Sequence, residues 1–178
     1  MSTSSSATGF DYTTLIEETM QAPHDLVKAG YVRYIGMSSC NAYQIIQMQN
    51  YAVTHNLTPF ISMQNHHSLM YCEEERDMFP TLKIFGVDSI PILARYKTEA
   101  NLQVVDRVEE LAKTKGVEMA QVALAWIFAK PGVSAPIIGT TNLSNLEELL
   151  GALDIKLSEE EVKYLEEPYK PMIVVGAL

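Results

Sequence analysis

YVRYIGMSS, residues 31–39, is the stretch that decides the fold. Its centre, Val32-Arg33-Tyr34-Ile35, carries the β-branched and aromatic side chains that strands favour. Gly36 follows, and then the hydroxyl pair Ser38 and Ser39. Just upstream, Lys28-Ala29-Gly30 puts a cation and a glycine where a helix ends. Just downstream, Asn41 is suited to cap a new helix. Helix, strand, polar loop and helix in quick succession make one βα step of a parallel α/β protein. Ligands of such proteins sit beyond the C-terminal ends of the strands, which is where Ser38 and Ser39 fall.

The same step repeats on either side. Before the strand, Thr13 or Thr14 is placed to cap a helix with Glu17 and Glu18 in its early turns and Ile16, Met20, Leu26 and Val27 on its apolar face. Pro23 falls inside it, and an interior proline costs about 3 kcal/mol and kinks a helix. After the strand a helix is expected from about 41 to 55. PFISMQ, residues 59–64, is a second strand that ends in the polar run Gln64-Asn65-His66-His67-Ser68. A helix over about 73–85 is stopped by Gly86, and VDSIPIL, residues 87–93, is a third strand with Pro91 near its end.

Two helices follow, over about 101–115 and 119–130. The first has Leu102, Val105, Val108, Leu111 and Ala112 on one stripe, and the second is apolar on nearly all sides and therefore buried. APIIG, residues 135–139, reads as a fourth strand, hydrophobic on both faces as parallel strands are. Thr140-Thr141-Asn142 opens a helix to about 152, and Ser158 with Glu161 forms a capping box for the last one. Each strand ends in a small or polar cluster: Ser38-Ser39, Gln64-Asn65, Ala94-Arg95 and Gly139-Thr140. These ends are expected to meet on one rim. Residues 1–9 are expected to be a disordered lead-in, and 172–178 an apolar tail.

A chain of 178 residues suits one domain or one piece of a larger one. Hydrophobic content of 47% is enough for a core, so compositional disorder is excluded. The formal net charge of -9, from 13 basic and 22 acidic residues, argues against a nucleic-acid partner while leaving room for a local basic phosphate pocket. Cys40 and Cys72 lack metal-ligand spacing and are expected to be free thiols in a reducing compartment. No apolar run approaches the ~20 residues of a membrane span. The start MSTSSSATG lacks the basic and apolar parts of a secretory signal, so the expected location is cytoplasmic and no membrane partner is expected.

VRYIGMSS, FISMQNHHSLMY followed by EEERDMFP, AQVALAWI, and PIIGTTNLSNLEELL stand in an order and spacing that resemble the second half of an aldo-keto reductase. The subgroup they most resemble is the fungal aryl-alcohol dehydrogenase-like reductases. FDYTTLIEETMQAPHDLVKAG and LSEEEVKYLEEPYKP fit the same subgroup, so the resemblance covers about 10–171 as one partial domain. It implies an α/β fold that is the C-terminal half of a (β/α)8 TIM barrel, with about four parallel strands and their helices, and NADP(H) bound at the C-terminal rim. The resemblance puts Ser38, Ser39 and Gln64 at the nicotinamide carboxamide. It puts Gly139, Thr140 and Thr141 at the adenosine 2′-phosphate, and Asn145 and Glu148 at the ribose phosphate and the adenine. A helix N-terminus is an anion site on physical grounds alone. Residues 140–142 fit an ordinary helix cap equally well.

Departures from the family pattern shape the functional expectation. The family's catalytic Asp, Tyr, Lys and His come from the first half of the barrel, and Thr8 stands where its histidine would be. No catalytic residue and no metal ligand is therefore expected here. His66 and His67 read as a polar rim. After the third strand, Pro91-Ile92-Leu93-Ala94-Arg95-Tyr96 lacks the aromatic that stacks on the nicotinamide, which leaves Arg95 as a phosphate contact. Leu149 replaces an asparagine for adenine. The expectation is an NADP(H)-dependent reductase of aldehydes or ketones by resemblance, with weak cofactor binding and no activity of this chain alone. Small-molecule carbonyls or alcohols would be the substrates of complete relatives. The alternative is a non-catalytic remnant that binds cofactor or pairs with a full-length reductase subunit. The first and last strands would be open edges, which invite a homodimer or another reductase chain.

Overall fold

The computed structural model describes residues 2–7, 9–92 and 98–172, with side chains described for 5–7, 9–87 and 98–172. Two compact units form: the first takes in Met1–His66 and Glu74–Ile90, the second His67–Glu73 and Pro91–Met172.

In the first unit β1 (Ser2–Ser6), β2 (Val32–Ser38), β3 (Ser62–His66) and β4 (Asp88–Ile92) form one sheet in that order. β1 pairs with β2 and β2 with β3, both in parallel. The parallel α/β reading is thus correct, but the lead-in expected to be disordered is a strand. Its backbone is in register with β2 from Ser2↔Val32 to Ser6↔Gly36, and that ladder satisfies the amides of a polar segment which has no core of its own. At Gly36 β2 and β3 approach closely. A Cβ there would collide with the Ser62 hydroxyl and lie 3.0 Å from the Ser62 carbonyl. β4 is an outer strand of the sheet, where Pro91 is tolerated.

α1 (Ile16–Lys28) and α2 (Ala42–Thr54) pack against each other beside this sheet. α1 runs through Pro23. It begins later than expected because Thr13 and Thr14 do not cap it: both hydroxyls donate to the Asp11 carboxylate, at 2.7 Å each. The core between is rich in methionine, with Met20, Met37, Met48, Met63 and Met78 all at most 1% exposed, and Met suits the irregular gaps between a twisted sheet and its helices. Buried Gln49 fixes the chain leading into β3 with both ends of its amide, donating to the Phe60 carbonyl at 2.9 Å and accepting the Phe60 N–H at 2.8 Å. Cys40 is buried, and burial pushes its thiol up to about 12. Neither cysteine is in a disulfide, and the Cys72 thiol donates to the Ser68 carbonyl at 3.3 Å.

The helix expected over 73–85 is split into a 3-10 turn, Glu73–Glu75, and α3 (Met78–Phe85). Restarting at Met78 puts Pro80 in a first turn, where its missing N–H costs little. Gly86 ends α3 with φ +64°, a left-handed cap that favours glycine.

The second unit contains α4 (Glu99–Lys115), α5 (Met119–Ala129), α6 (Leu143–Leu150) and α7 (Glu159–Glu166). α4 is capped by Thr98, whose hydroxyl accepts the Asn101 N–H at 3.1 Å. Its buried face is Ala100, Val104, Val108, Leu111 and Ala112. The expected Leu102 and Val105 are 60% and 39% exposed, because they lie off that i, i+4 stripe. α5 buries Val122, Leu124, Ala125, Trp126 and Ile127. Trp126 donates its indole N–H to Glu166 at 2.8 Å, and Lys130 reaches the same oxygen at 2.8 Å. The fourth strand expected over 135–139 is not formed. Only isolated bridge positions occur, at Val133 and Ile137; Pro136 has no N–H to give to a ladder, and Ile137 is 46% exposed. The capping box at Ser158 is present: Ser158 Oγ accepts the Glu161 N–H at 3.2 Å, and Glu161 Oε2 accepts the Ser158 N–H at 2.8 Å.

Candidate functional site

Ser38, Ser39 and Gln64 come together in the first unit. Ser38 ends β2 and is the register partner of Gln64 in β3. Ser38 is buried, 2% exposed, and its hydroxyl donates to the Gln64 carbonyl oxygen at 3.1 Å. The Ser39 N–H is directed at the same carbonyl at 3.4 Å. Ser39 itself has φ +51°, a left-handed conformation that turns its hydroxyl out to the exposed surface, 3.3 Å from the Ser38 hydroxyl. The Gly9 N–H donates to the Ser38 carbonyl at 2.9 Å and so holds the turn from its other flank.

Gln64 shares a strand face with Ser62 and His66, all three half-buried, while Met63 and Asn65 on the opposite face are buried. This alternation gives β3 one apolar side and one half-open polar side, and Gln64 stands in the middle of the polar one. Its side-chain amide makes no hydrogen bond among the described residues. The cluster therefore offers the hydroxyl of exposed Ser39, which donates to Ser38 and can accept, and on the polar face of β3 a primary amide able to donate and to accept.

His67 is not part of a polar rim. It belongs to the second unit, is fully buried, and packs its ring 5.1 Å from Trp126. A core aromatic neighbour outweighs polarity at that position.

Gly139, Thr140, Thr141, Asn145 and Glu148 lie in the second unit, all exposed. Thr140 Oγ1 accepts the Asn142 N–H at 3.2 Å, and Asn142 Oδ1 accepts from the Ser144 N–H at 3.0 Å and the Ser144 hydroxyl at 2.9 Å. Asn142 is thus the cap of α6, and the Thr140 hydroxyl shapes the turn into it. The Glu148 carbonyl accepts from Gln121 Nε2 at 2.6 Å, which ties α6 to α5 and leaves the Glu148 carboxylate at the surface. Arg95 lies outside the described residues.

Two arrangements were not foreseen from the sequence. Gln44, 1% exposed, accepts the Asn41 N–H at 2.7 Å and donates to the Tyr12 hydroxyl at 3.1 Å. Only the N3 glutamine after Asn41 signals the first of these bonds. In the second unit the buried Glu73 carboxylate accepts the Tyr169 hydroxyl at 2.6 Å and the Met172 N–H at 2.8 Å, and the Tyr169 oxygen accepts the Cys72 N–H at 3.0 Å. Burial and the bond to Glu73 push the Tyr169 phenol well above its ordinary range.

Residues 7–170 match the sequence profile of the Aldo/keto reductase family. An aryl-alcohol dehydrogenase-type protein of Schizosaccharomyces pombe is 40% identical over 190 residues, covering 91% of this chain and 53% of its own. Versiconal hemiacetal acetate reductase of Aspergillus parasiticus is 38% identical over 193 residues, covering 92% of this chain and 56% of its own. The crystal structure of the thermostable aldo-keto reductase Tm1743 with the inhibitor epalrestat superposes with a TM-score of 0.76 at 27% identity, covering 93% of this chain and 59% of that one. The chain spans about half the length of the curated relatives it matches. The parallel sheet and its helices accord with part of a (β/α)8 barrel.

Proposed function

The chain belongs to the aldo/keto reductase family, among relatives of the fungal aryl-alcohol dehydrogenase-like kind, and from that premise we propose that it carries one half of an NADP(H) site for carbonyl reduction. One observation carries this reading: Ser38, whose hydroxyl meets that of Ser39, ends β2 as the register partner of Gln64 on the polar face of β3. A nicotinamide carboxamide needs an acceptor for its NH2 and a donor for its C=O. Gln64 supplies both, and Ser39, whose hydroxyl donates to Ser38, supplies an acceptor. The Ser38 hydroxyl donates its hydrogen bond to the Gln64 carbonyl, so its part is to hold the turn and to accept. In the second unit, the hydroxyls of Thr140 and Thr141 with the Gly139 backbone are assigned to the 2′-phosphate beside the start of α6. Asn145 and Glu148 are assigned to the ribose phosphate and the adenine, and Arg95 to a phosphate. Bound NADPH supplies a hydride to the carbonyl carbon of an aldehyde or ketone. No residue of this chain is assigned the accompanying proton transfer, so the chain alone binds cofactor and does not turn it over.

Binding is expected to be weak. The formal charge of -9 repels phosphates, and Leu149 offers adenine no hydrogen bond. Calorimetric titration with NADPH is the test. Saturable binding that Gln64→Ala abolishes supports the reading. A folded chain that binds no NADPH overturns it. NADPH oxidation with an aromatic aldehyde by the chain alone would overturn the assignment of no catalytic residue. A second reading, pairing with another copy or with a full-length reductase, is favoured by one observation: β1 and β4 are the outer strands of the sheet. A stable monomer on size exclusion, unchanged by an added full-length relative, would count against it.

A further inference from the structure

We propose that Tyr12 is a positioning residue for the Ser38–Ser39 turn, acting through the buried amide of Gln44; the proposal rests on the reading of that turn as a cofactor contact. The turn carries a serine at φ +51°, a conformation an L residue keeps only where its surroundings hold both ends. The β-strand end is held by the Gln64 carbonyl, which receives the Ser38 hydroxyl, and by the Gly9 N–H on the Ser38 carbonyl. The helix end is held by the Asn41 carbonyl, which accepts the Gln44 and Ile45 N–H groups, and by one side chain. Gln44 Oε1 accepts the N–H of Asn41, the residue that leads into α2, at 2.7 Å.

That bond fixes which way the Gln44 amide points. With Oε1 on Asn41, Nε2 must donate, and its acceptor is the Tyr12 hydroxyl oxygen at 3.1 Å. Gln44 is 1% exposed, so water cannot readily replace Tyr12. Tyr12 is 61% exposed, so burial of its ring does not explain its place; an edge-to-face contact with Phe10, with ring centroids 5.1 Å apart, helps hold it instead. The chain of contacts runs from Tyr12 through Gln44 to Asn41, and so to the helix side of the turn that presents Ser39.

Tyr12→Phe removes the hydroxyl and keeps the ring on Phe10. The first readout needs no cofactor: amide hydrogen exchange of the unliganded protein. Exchange across residues 39–42 is expected to rise about five- to tenfold, the factor lost with one hydrogen bond, while residues 45–52 of α2 remain as protected as before. Gln44→Met is expected to give the same rise, and Tyr12→Phe added to Gln44→Met no further rise, because the two act through one contact. The second readout compares NADPH with 2′,5′-ADP, which has no nicotinamide. Tyr12→Phe is expected to weaken NADPH about fivefold and leave 2′,5′-ADP unchanged. Unchanged exchange at 39–42, or additive effects of the two substitutions, overturns the proposal. Equal weakening of both ligands overturns it too, by marking a general loss of structure. If the unaltered chain binds neither ligand, the cofactor reading fails, and the exchange result still decides the role of Tyr12.

Discussion

Ser38 and Gln64 are joined twice, once as register partners of β2 and β3 and once by the Ser38 hydroxyl on the Gln64 carbonyl at 3.1 Å. The second link uses the backbone of Gln64 and leaves its side chain for other work. Ser38→Ala should therefore lower stability by about 1 kcal/mol, the worth of one buried neutral hydrogen bond. Gln64→Ala keeps the carbonyl and should change stability by no more than about 0.5 kcal/mol, as for a substitution that breaks no buried contact. Urea unfolding of the two variants distinguishes them. A larger loss for Gln64→Ala would mean that its amide is a structural group.

Gly36 should be intolerant of any side chain. Its missing Cβ leaves room for the Ser62 hydroxyl, and the Ser62 carbonyl is 3.0 Å from where that Cβ would stand. Gly36→Ala should cost about 1–3 kcal/mol, the range for overpacking a close-packed site. Ser62→Ala in the same chain should recover part of this, since it removes the hydroxyl but not the carbonyl. Thermal unfolding of both variants checks it; no recovery in the double variant would place the strain in the backbone.

The central βα step was legible because its signals are local. Val32 to Ile35 have strand propensity, Ser158 and Glu161 form a capping box, and Gly86 and Gly116 end helices in left-handed caps. What depended on distant partners was not legible. A serine-rich strand such as β1 has no propensity to announce it and exists by pairing with β2. APIIG has the composition of a strand but forms no ladder. At the candidate site, Ser38 and Ser39 were visible as a polar strand end, whereas Gln64, expected at the end of a strand over 59–64, lies in the middle of β3. The link from Gln44 to Tyr12, across 32 residues, was not.

Asp11 should titrate unusually low. The hydroxyls of Thr14 and Thr13 and the Thr13 N–H stabilise its charged form and lower it from 3.8 to about 2. A carboxyl depressed in the folded state stabilises the fold above its unfolded value, and that contribution is lost as pH falls from about 4 towards 2. Carboxyl chemical shifts followed against pH should show the low midpoint, and Thr13→Val with Thr14→Val should return it towards the ordinary range. A midpoint unmoved by the double substitution would remove the threonines as its cause.

Glu166 should be the most costly surface-reaching acid to lose in the second unit. One oxygen accepts from both the Trp126 indole at 2.8 Å and the Lys130 ammonium at 2.8 Å, and that ammonium lies 5.0 Å from the centre of the Trp126 ring. Trp126 is fully buried, so its N–H has no water to turn to. Glu166→Ala should cost about 2 kcal/mol, the loss of a hydrogen bond to a charged group with a buried donor left over. Glu166→Gln keeps an acceptor for the indole and loses only the charge. The Lys130 and Glu166 side chains are 13% and 33% exposed, so solvent screens part of the ion pair and the cost should stay near 1 kcal/mol or below. Unfolding followed by the emission of this single tryptophan measures both variants. Equal losses would show that the ion pair, rather than the indole bond, secures α7 to α5.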